Sequence, residues 1–382
     1  MLISLVGTWI QSVAQSWLVF QLTDSAFLLG MVGFLNTIPV FLLSLLGGVV
    51  ADRLNKKNIL LFTQSAFMVL AFILAILTQL KLITPGQIML IAALNGIVMS
   101  FDGPSRQSVV VELAGKVHLL NAIALNSAAF NSARIIGPAL AGILIAVIGM
   151  SGCFYINGLS FLAVIVALNL IRVKAEPKQR PSGHIMKDLS EGLKFIKNNP
   201  TVLSLITLVG MMSLFGISYL ILMPVFAKDV LGVGVKELGV LMSAAGAGAL
   251  AGALMLARLG DFKQKGKLLF FSTALFCAAL LLLSFSKDYF LSLVILLLVG
   301  WSSIMSTSLI NTLLQIIAPD NFRGRVMSAF MFTFAGVMPF GSLLSGILTQ
   351  ALGVSAAILI SALACSIFFT AINLIYPKIR QL

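Results

Sequence analysis

Charge is what this chain has least of. Asp, Glu, Lys and Arg make up 10% of its 382 residues, against 59% apolar, whereas an average soluble domain carries about 25% charged residues. Too few charges remain to hydrate a globular surface of this size. That excludes a soluble enzyme, and it excludes nucleic-acid binding despite a net charge of +13. Disorder is excluded from the opposite side, because the apolar fraction is far above that of chains that stay unfolded. Cysteine is scarce as well: Cys153, Cys277 and Cys365 each sit inside an apolar run, without the spacing of a disulfide framework or a metal site. The two histidines, His118 and His184, lie in separate polar segments, so no metal cluster is expected. No phosphate-binding G-x-x-x-x-G-K-[ST] loop occurs; GDFKQKGK at 260–267 has the wrong spacing and no hydroxyl residue. With no soluble segment large enough to hydrolyse ATP, the chain reads as a non-enzyme without a cofactor, and any energy it uses comes from a gradient.

What is present is a succession of long apolar runs. A bilayer core about 30 Å thick takes roughly 20 apolar residues in a helix. Twelve such runs occur, approximately 1–20, 26–51, 59–80, 87–108, 122–148, 152–171, 202–227, 236–257, 268–285, 289–316, 326–352 and 354–376. Alternating ten-residue strands are absent from the pattern, which removes an outer-membrane barrel. The expected fold class is an all-α membrane protein, with twelve transmembrane helices in two six-helix halves. Met1 opens directly into an apolar run, without the charged start and short apolar core of a secretory signal. The expectation there is a first transmembrane helix whose cytoplasmic end is shortened.

The cations are sorted by loop. Twenty of the 25 Lys and Arg fall in one set of loops, while the other set holds Lys81, Lys228, Lys236 and Lys287, and Arg134 sits inside a run. By the positive-inside rule both termini and the long central loop face the cytoplasm, in a cell (inner) membrane. The central segment 172–200 is Pro- and charge-rich, then becomes DLSEGLKFIKNNP. Ile185, Leu189, Leu193 and Ile196 recur there at helical spacing, which predicts an amphipathic helix at the interface. It divides the chain into an N-terminal bundle, 1–171, and a C-terminal bundle, 201–382. The two look related: residues 119–144 can be laid on 322–348 with an offset of 204, and 47–54 on 252–259 with an offset of 205. A parallel repeat of this kind is a transporter architecture with the substrate between the halves.

Four features carry the functional reading. GVVADRLNKK, Gly48 to Lys57, bridges runs two and three. In it Gly48 is expected to allow close helix approach, Asp52 to face a helix N-terminus, and Arg53, Lys56 and Lys57 to anchor the loop at an anionic leaflet. Simple positive-inside anchoring is the plainer alternative, and it leaves Asp52 unexplained. Asn131 to Gly142, NSARIIGPALAG, places Gly137, Pro138 and Gly142 where helices pack closely or bend. Arg134 lies about 18 Å deep at 1.5 Å per residue, where an arginine is costly unless it faces water or a counter-charge. Its natural counter-charge is Asp102, the one acid clearly within a run; Arg106 follows one turn later and pairs alternatively with Asp52. Asp102 and Arg134 are the candidates for proton coupling. Gln11 and Gln15 in run one, Asn36, Asn126, Asn131 and Asn311 either contact substrate or hold helices together.

The loop sequence resembles the G-x-x-x-D-R-x-G-R/K-R/K signature of the major facilitator superfamily, with Asn55 in place of its second glycine. The Gly-Pro stretch is similar to the motif of that superfamily's antiporter branches. Residues 4–30, 101–113, 121–142 and 191–200 resemble the subgroup that contains enterobactin exporters and macrolide efflux proteins. The resemblance implies proton-driven export of a small amphipathic molecule by alternating access of a monomer in the lipid bilayer. Gly48, Asp52, Arg53, Lys57 and Arg106 would form the cytoplasmic gate. Uptake of an organic anion by proton symport, with Arg134 as ligand, is the alternative.

Overall fold

The computed structural model describes residues 1–170, 185–260 and 262–381, except the side chains at 45, 52, 111, 115–117, 119–120, 123–124, 127, 185–190, 321, 378 and 381. Among the described residues there is no strand. The helices are α1 (Leu2–Thr23), α2 (Ala26–Arg53), α3 (Lys56–Gln79), α4 (Pro85–Leu170), α5 (Ile185–Asn198), α6 (Pro200–Met211), α7 (Tyr219–Val225), α8 (Val235–Leu259), α9 (Lys265–Phe285), α10 (Tyr289–Ile317), α11 (Asp320–Leu352) and α12 (Val354–Ile375). Short π-helical turns, Met212–Gly216 and Phe226–Val230, flank α7. Polar residues at the breaks start the helices by taking their free N–H groups. Ser25 accepts from Leu28 N at 3.3 Å, Asn199 from Val202 N at 3.2 Å, and Asp288 from Leu291 N at 2.8 Å. Asp24, left-handed at φ 47, ends α1, and Gly353 at φ 85 ends α11.

The 86 residues of α4 would reach about 130 Å if straight. They fold back instead. Gly137 packs on Val6 and Trp9 of α1, while Asn157 and Ser160 pack on Gly7. Two points about 35 Å apart along a straight helix therefore meet one turn of α1. The reversal lies at Gly149, whose φ of 73 cannot continue a right-handed helix. Val109 and Leu168, about 90 Å apart along a straight helix, share a buried cluster with Leu60 of α3. Among the described residues, eleven stretches are long and apolar enough to cross a membrane, and one of them, Ala128–Leu170, contains the Gly149 reversal.

The exposed surface is apolar, unlike that of a water-soluble protein. Phe62, Val147 and Leu374 are 72–74% exposed, while Ser100, Ser105, Ser272, Ser302 and Ser306 are buried. Large apolar side chains face outward as lipid would require, and small residues let the helices approach. The chain divides into two compact units, Met1–Gln179 with Ala227–Ser243, and Arg180–Phe226 with Ala244–Leu382. The start of α8 thus packs with the first unit, although it follows the central segment in sequence. Helix α5 belongs to the second unit. Glu191 pairs with Arg325 at 2.9 Å, and the Phe195 ring stacks on Phe322 at 4.7 Å. Ile196 is buried but Leu193 is 56% exposed, so the apolar face that docks runs through Phe195 and Ile196 rather than Leu193 and Ile196.

Candidate functional site

The most constrained polar group is Asp102, 1% exposed, on α4. Its Oδ1 accepts from Thr63 Oγ1 at 2.9 Å and from Gln64 Nε2 at 2.7 Å, both on α3. Its Oδ2 accepts from Arg106 Nη2 at 2.6 Å, one turn further along α4. Arg106 keeps about a quarter of its side chain exposed, 26% against 1% for the acid. The node is therefore a buried carboxylate held by two neutral donors and one cation, and the cation's side chain is partly exposed. Next to this node, Gln64 Oε1 and Ser105 Oγ are buried without a hydrogen-bond partner among the described residues. The carboxylate pairs with Arg106, and no pairing with Arg134 is present. Arg134 is half-buried, and among the described residues none bonds to its guanidinium.

The loop between α2 and α3 departs from expectation in three ways. Helix approach occurs at Gly47, where a Cβ would collide with the carbonyl of Ser100, while a Cβ on Gly48 would meet nothing within 4 Å. The reason is register: one residue is 100° of helix, and Gly47 is the residue facing α4. Asn55 sits at φ −66, so no left-handed glycine is needed there; it caps α3 instead, accepting from Lys57 N at 3.0 Å and Asn58 N at 3.4 Å. Lys56 pairs with Glu112 of α4, and Lys57 donates to the Asn169 carbonyl at 3.3 Å. These lysines join α3 to two separate stretches of α4 as well as charging the loop. Arg53 is exposed. The Asp52 side chain lies outside the described residues.

The Gly-Pro stretch faces two neighbours. Gly137 lies against α1, and Gly142 lies against the first turn of α8, where a Cβ would come within 2.9 Å of the Lys236 carbonyl. Pro138, lacking an N–H, leaves the carbonyl four residues back without its helical donor. Gly239 of α8 sits against the Pro138 carbonyl, and Ser243 donates to the Ile135 carbonyl at 2.8 Å. This seam is what draws Ala227–Ser243 into the first unit.

The family model for transmembrane secretion effectors, a branch of the major facilitator superfamily, matches residues 1–382. The chain belongs to this family. Its members are transporters and not enzymes, which makes this protein a multi-pass membrane transporter. Among curated relatives, the chain is 28% identical to a staphyloferrin A transporter of Staphylococcus aureus, over 91% of this chain and 87% of that one. It is 25% identical to a multidrug efflux pump of Mycolicibacterium fortuitum, over 98% and 93%. An enterobactin exporter of Shigella boydii is 27% identical, over 85% and 77%. The fold matches a bacterial homolog of the human lysosomal transporter Spinster at a TM-score of 0.76, with 14% identity and 99% and 96% of the two chains covered.

Within this major facilitator transporter the six amide residues read as cavity candidates fall in different settings. Gln11 is buried, and its Oε1 accepts from Asn157 Nδ2 at 2.7 Å, tying α1 to α4. That is helix cohesion, with Ser160 supporting Asn157. Gln15 and Asn131 are half-buried and Asn36 is exposed. Asn126 has a buried Oδ1 without a partner among the described residues. Asn311 accepts from Gln315, one turn along α10. Sequence reasoning missed Thr63, Gln64, Asn157 and Glu112. The first three are ordinary neutral residues in apolar runs and carry no local signal; Glu112 stands 56 positions from Lys56.

Proposed function

We propose that this transporter exports a small amphipathic molecule of the drug, macrolide or siderophore class by proton antiport and alternating access. In this reading it acts as a monomer with twelve crossings, Ala128–Leu170 supplying two of them. Two six-helix halves, 1–171 and 201–382, are joined by the cytoplasmic linker 172–200, and both termini are cytoplasmic. Gly48, Asp52, Arg53, Lys57 and Arg106 remain the proposed gate set on the cytoplasmic side. Relatives named for siderophore transport and export and for multidrug efflux support the substrate class.

The observation that carries proton coupling is the Asp102 node. A proton added to Oδ2 turns the carboxylate into an acid and breaks its ion pair, so the node passes from net zero to net positive. The Arg106 side chain, already about a quarter exposed, is then released from the pair. Loss of the proton restores the pair. Each cycle thus links one proton to making and breaking a contact within α4. Inside-out vesicles acidified by an ATP-driven proton pump, given ethidium, erythromycin or a catecholate siderophore, should accumulate a substrate. Asp102→Asn is expected to abolish accumulation while the purified variant melts cooperatively; undiminished pH-driven accumulation would refute the role.

A second reading, uptake of an organic anion by proton symport, draws on Arg134, which has no bonded partner among the described residues. The two differ in the direction of flux in the same vesicles. Arg134→Glu with unchanged transport would remove this residue from either path.

A further inference from the structure

The buried node around Asp102 has a counterpart in the second unit. Ser306 of α10 is buried, accepts from Thr273 Oγ1 at 3.1 Å and donates to Ser272 Oγ at 3.0 Å, both on α9. Ser272 donates in turn to the Leu269 carbonyl three residues back, at 3.1 Å. In the first unit Thr63 Oγ1 likewise lies 3.1 Å from the Leu60 carbonyl, its one proton shared between that oxygen and Asp102 Oδ1.

The positions correspond one for one. Leu60, Thr63 and Gln64 are each 209 positions before Leu269, Ser272 and Thr273, as Lys56 opening α3 is before Lys265 opening α9. On the facing helices the interval is 204, from Asp102 to Ser306 and from Pro85 opening α4 to Tyr289 opening α10. Two glycines check this independently. Gly96 packs against the Asn36 carbonyl of α2 and Gly300 against the Ala245 carbonyl of α8; the glycines are again 204 apart and their partners 209.

Only the chemistry differs. The interval of 204 carries Arg106 onto Ile310, which is fully buried. An ion pair in the first unit is therefore a serine and an isoleucine in the second, where the equivalent helices α9 and α10 are joined by hydroxyl groups. A buried carboxylate is expensive to desolvate, and a neutral substitute often costs nothing in stability. The same chain holds that substitute at the equivalent place, so joining the helices does not require the charge. We infer that the α3–α4 node is a proton-binding site, in which Thr63 and Gln64 are positioning residues and Arg106 is the counter-ion. Its equivalent at α9–α10 is a neutral structural copy that binds none. This rests on the proton-coupled reading above and locates that coupling in one half only.

The test is to write the second node into the first. The full chain is purified in lipid as wild type, Asp102→Ser/Arg106→Ile and Ser306→Ala, then followed by thermal melting and by infrared difference spectra across a pH titration. The double variant should melt within a few degrees of wild type and lose a protonated-carboxyl band that wild type shows; Ser306→Ala should keep that band. A double variant that folds and keeps the band overturns the proposal. So does one that cannot fold, because the ion pair would then be structural. Loss of the band in Ser306→Ala overturns the assignment of the second node as neutral support. None of these readouts needs a transported compound. Ethidium flux that ignores the pH gradient in wild type would defeat the antiport reading, while the spectra and melts still decide the node.

Discussion

Replacing Gly47 by alanine sets a methyl group against the backbone carbonyl of Ser100, whereas the same change at Gly48 meets open space. A backbone oxygen cannot rotate aside, so α2 and α4 must separate. That seam is also held by Ser100 Oγ donating to the Pro39 carbonyl at 3.1 Å and by Gly96 against the Asn36 carbonyl, and both are strained by separation. Overpacking of this kind costs about 1–3 kcal/mol. Each substitution also gains helix propensity of about 0.5–1 kcal/mol, and both residues lie inside α2. The gain is common to the two variants, so their difference isolates the steric cost, about 1–3 kcal/mol with Gly47→Ala the less stable. Unfolding of the purified variants in one detergent, monitored by tryptophan fluorescence against denaturant, measures it. Equal stability, or Gly48→Ala the weaker, would refute the assignment of the close approach and return it to the glycine that the loop motif names.

Asn55→Ala should lower stability by about 1 kcal/mol, through loss of the α3 cap, while Asn55→Gly should cost only a few tenths; the same unfolding assay decides. Gln11→Met leaves the Asn157 amide, 2% exposed, without its acceptor, at a cost of about 1–3 kcal/mol, and should leave the range of transported compounds unchanged. An altered range with unaltered stability would place Gln11 in the substrate path. Phe195→Ala removes the stack on Phe322, worth about 1 kcal/mol beyond its buried area, and should speed tryptic cleavage at Lys194 and Lys197, followed by gel.

Much of the fold was legible because one physical rule governs it. Apolar runs long enough for a bilayer become helices, and the caps fall where polar residues interrupt them, as at Ser25, Asn55, Asn199 and Asp288. The continuity of α4 was not legible. The polar stretch after Arg106 marks an exit from the apolar phase, yet a polar sequence of good helix formers has no reason to stop being helical. Within the node, Asp102 stood out as a rare charge, and Arg106 shared its face at four residues' spacing. Thr63 and Gln64 are common residues on another helix, and only packing brings them to the acid. The Gly47 and Gly48 exchange has the same origin: a motif fixes spacing, but the facing residue is set by the rotation of the packed helix.

Asp102 and Arg134, both within apolar stretches of the first unit, are treated differently, and the difference bears on mechanism. Asp102 has three donors and is nearly sealed; its charge is compensated within α3 and α4. Arg134 has none among the described residues. A central membrane arginine costs about 2.5–3.5 kcal/mol by insertion scales when nothing offsets it. Pro138 adds to this by leaving a carbonyl in the same turn without its helical donor, and that carbonyl belongs to Arg134 itself. The stretch thus combines a cation without a bonded partner among the described residues with a carbonyl that lacks its helical donor, at a place where stability alone would select an apolar residue. Under the uptake reading proposed above, this is where an organic anion would find a cation to pair with.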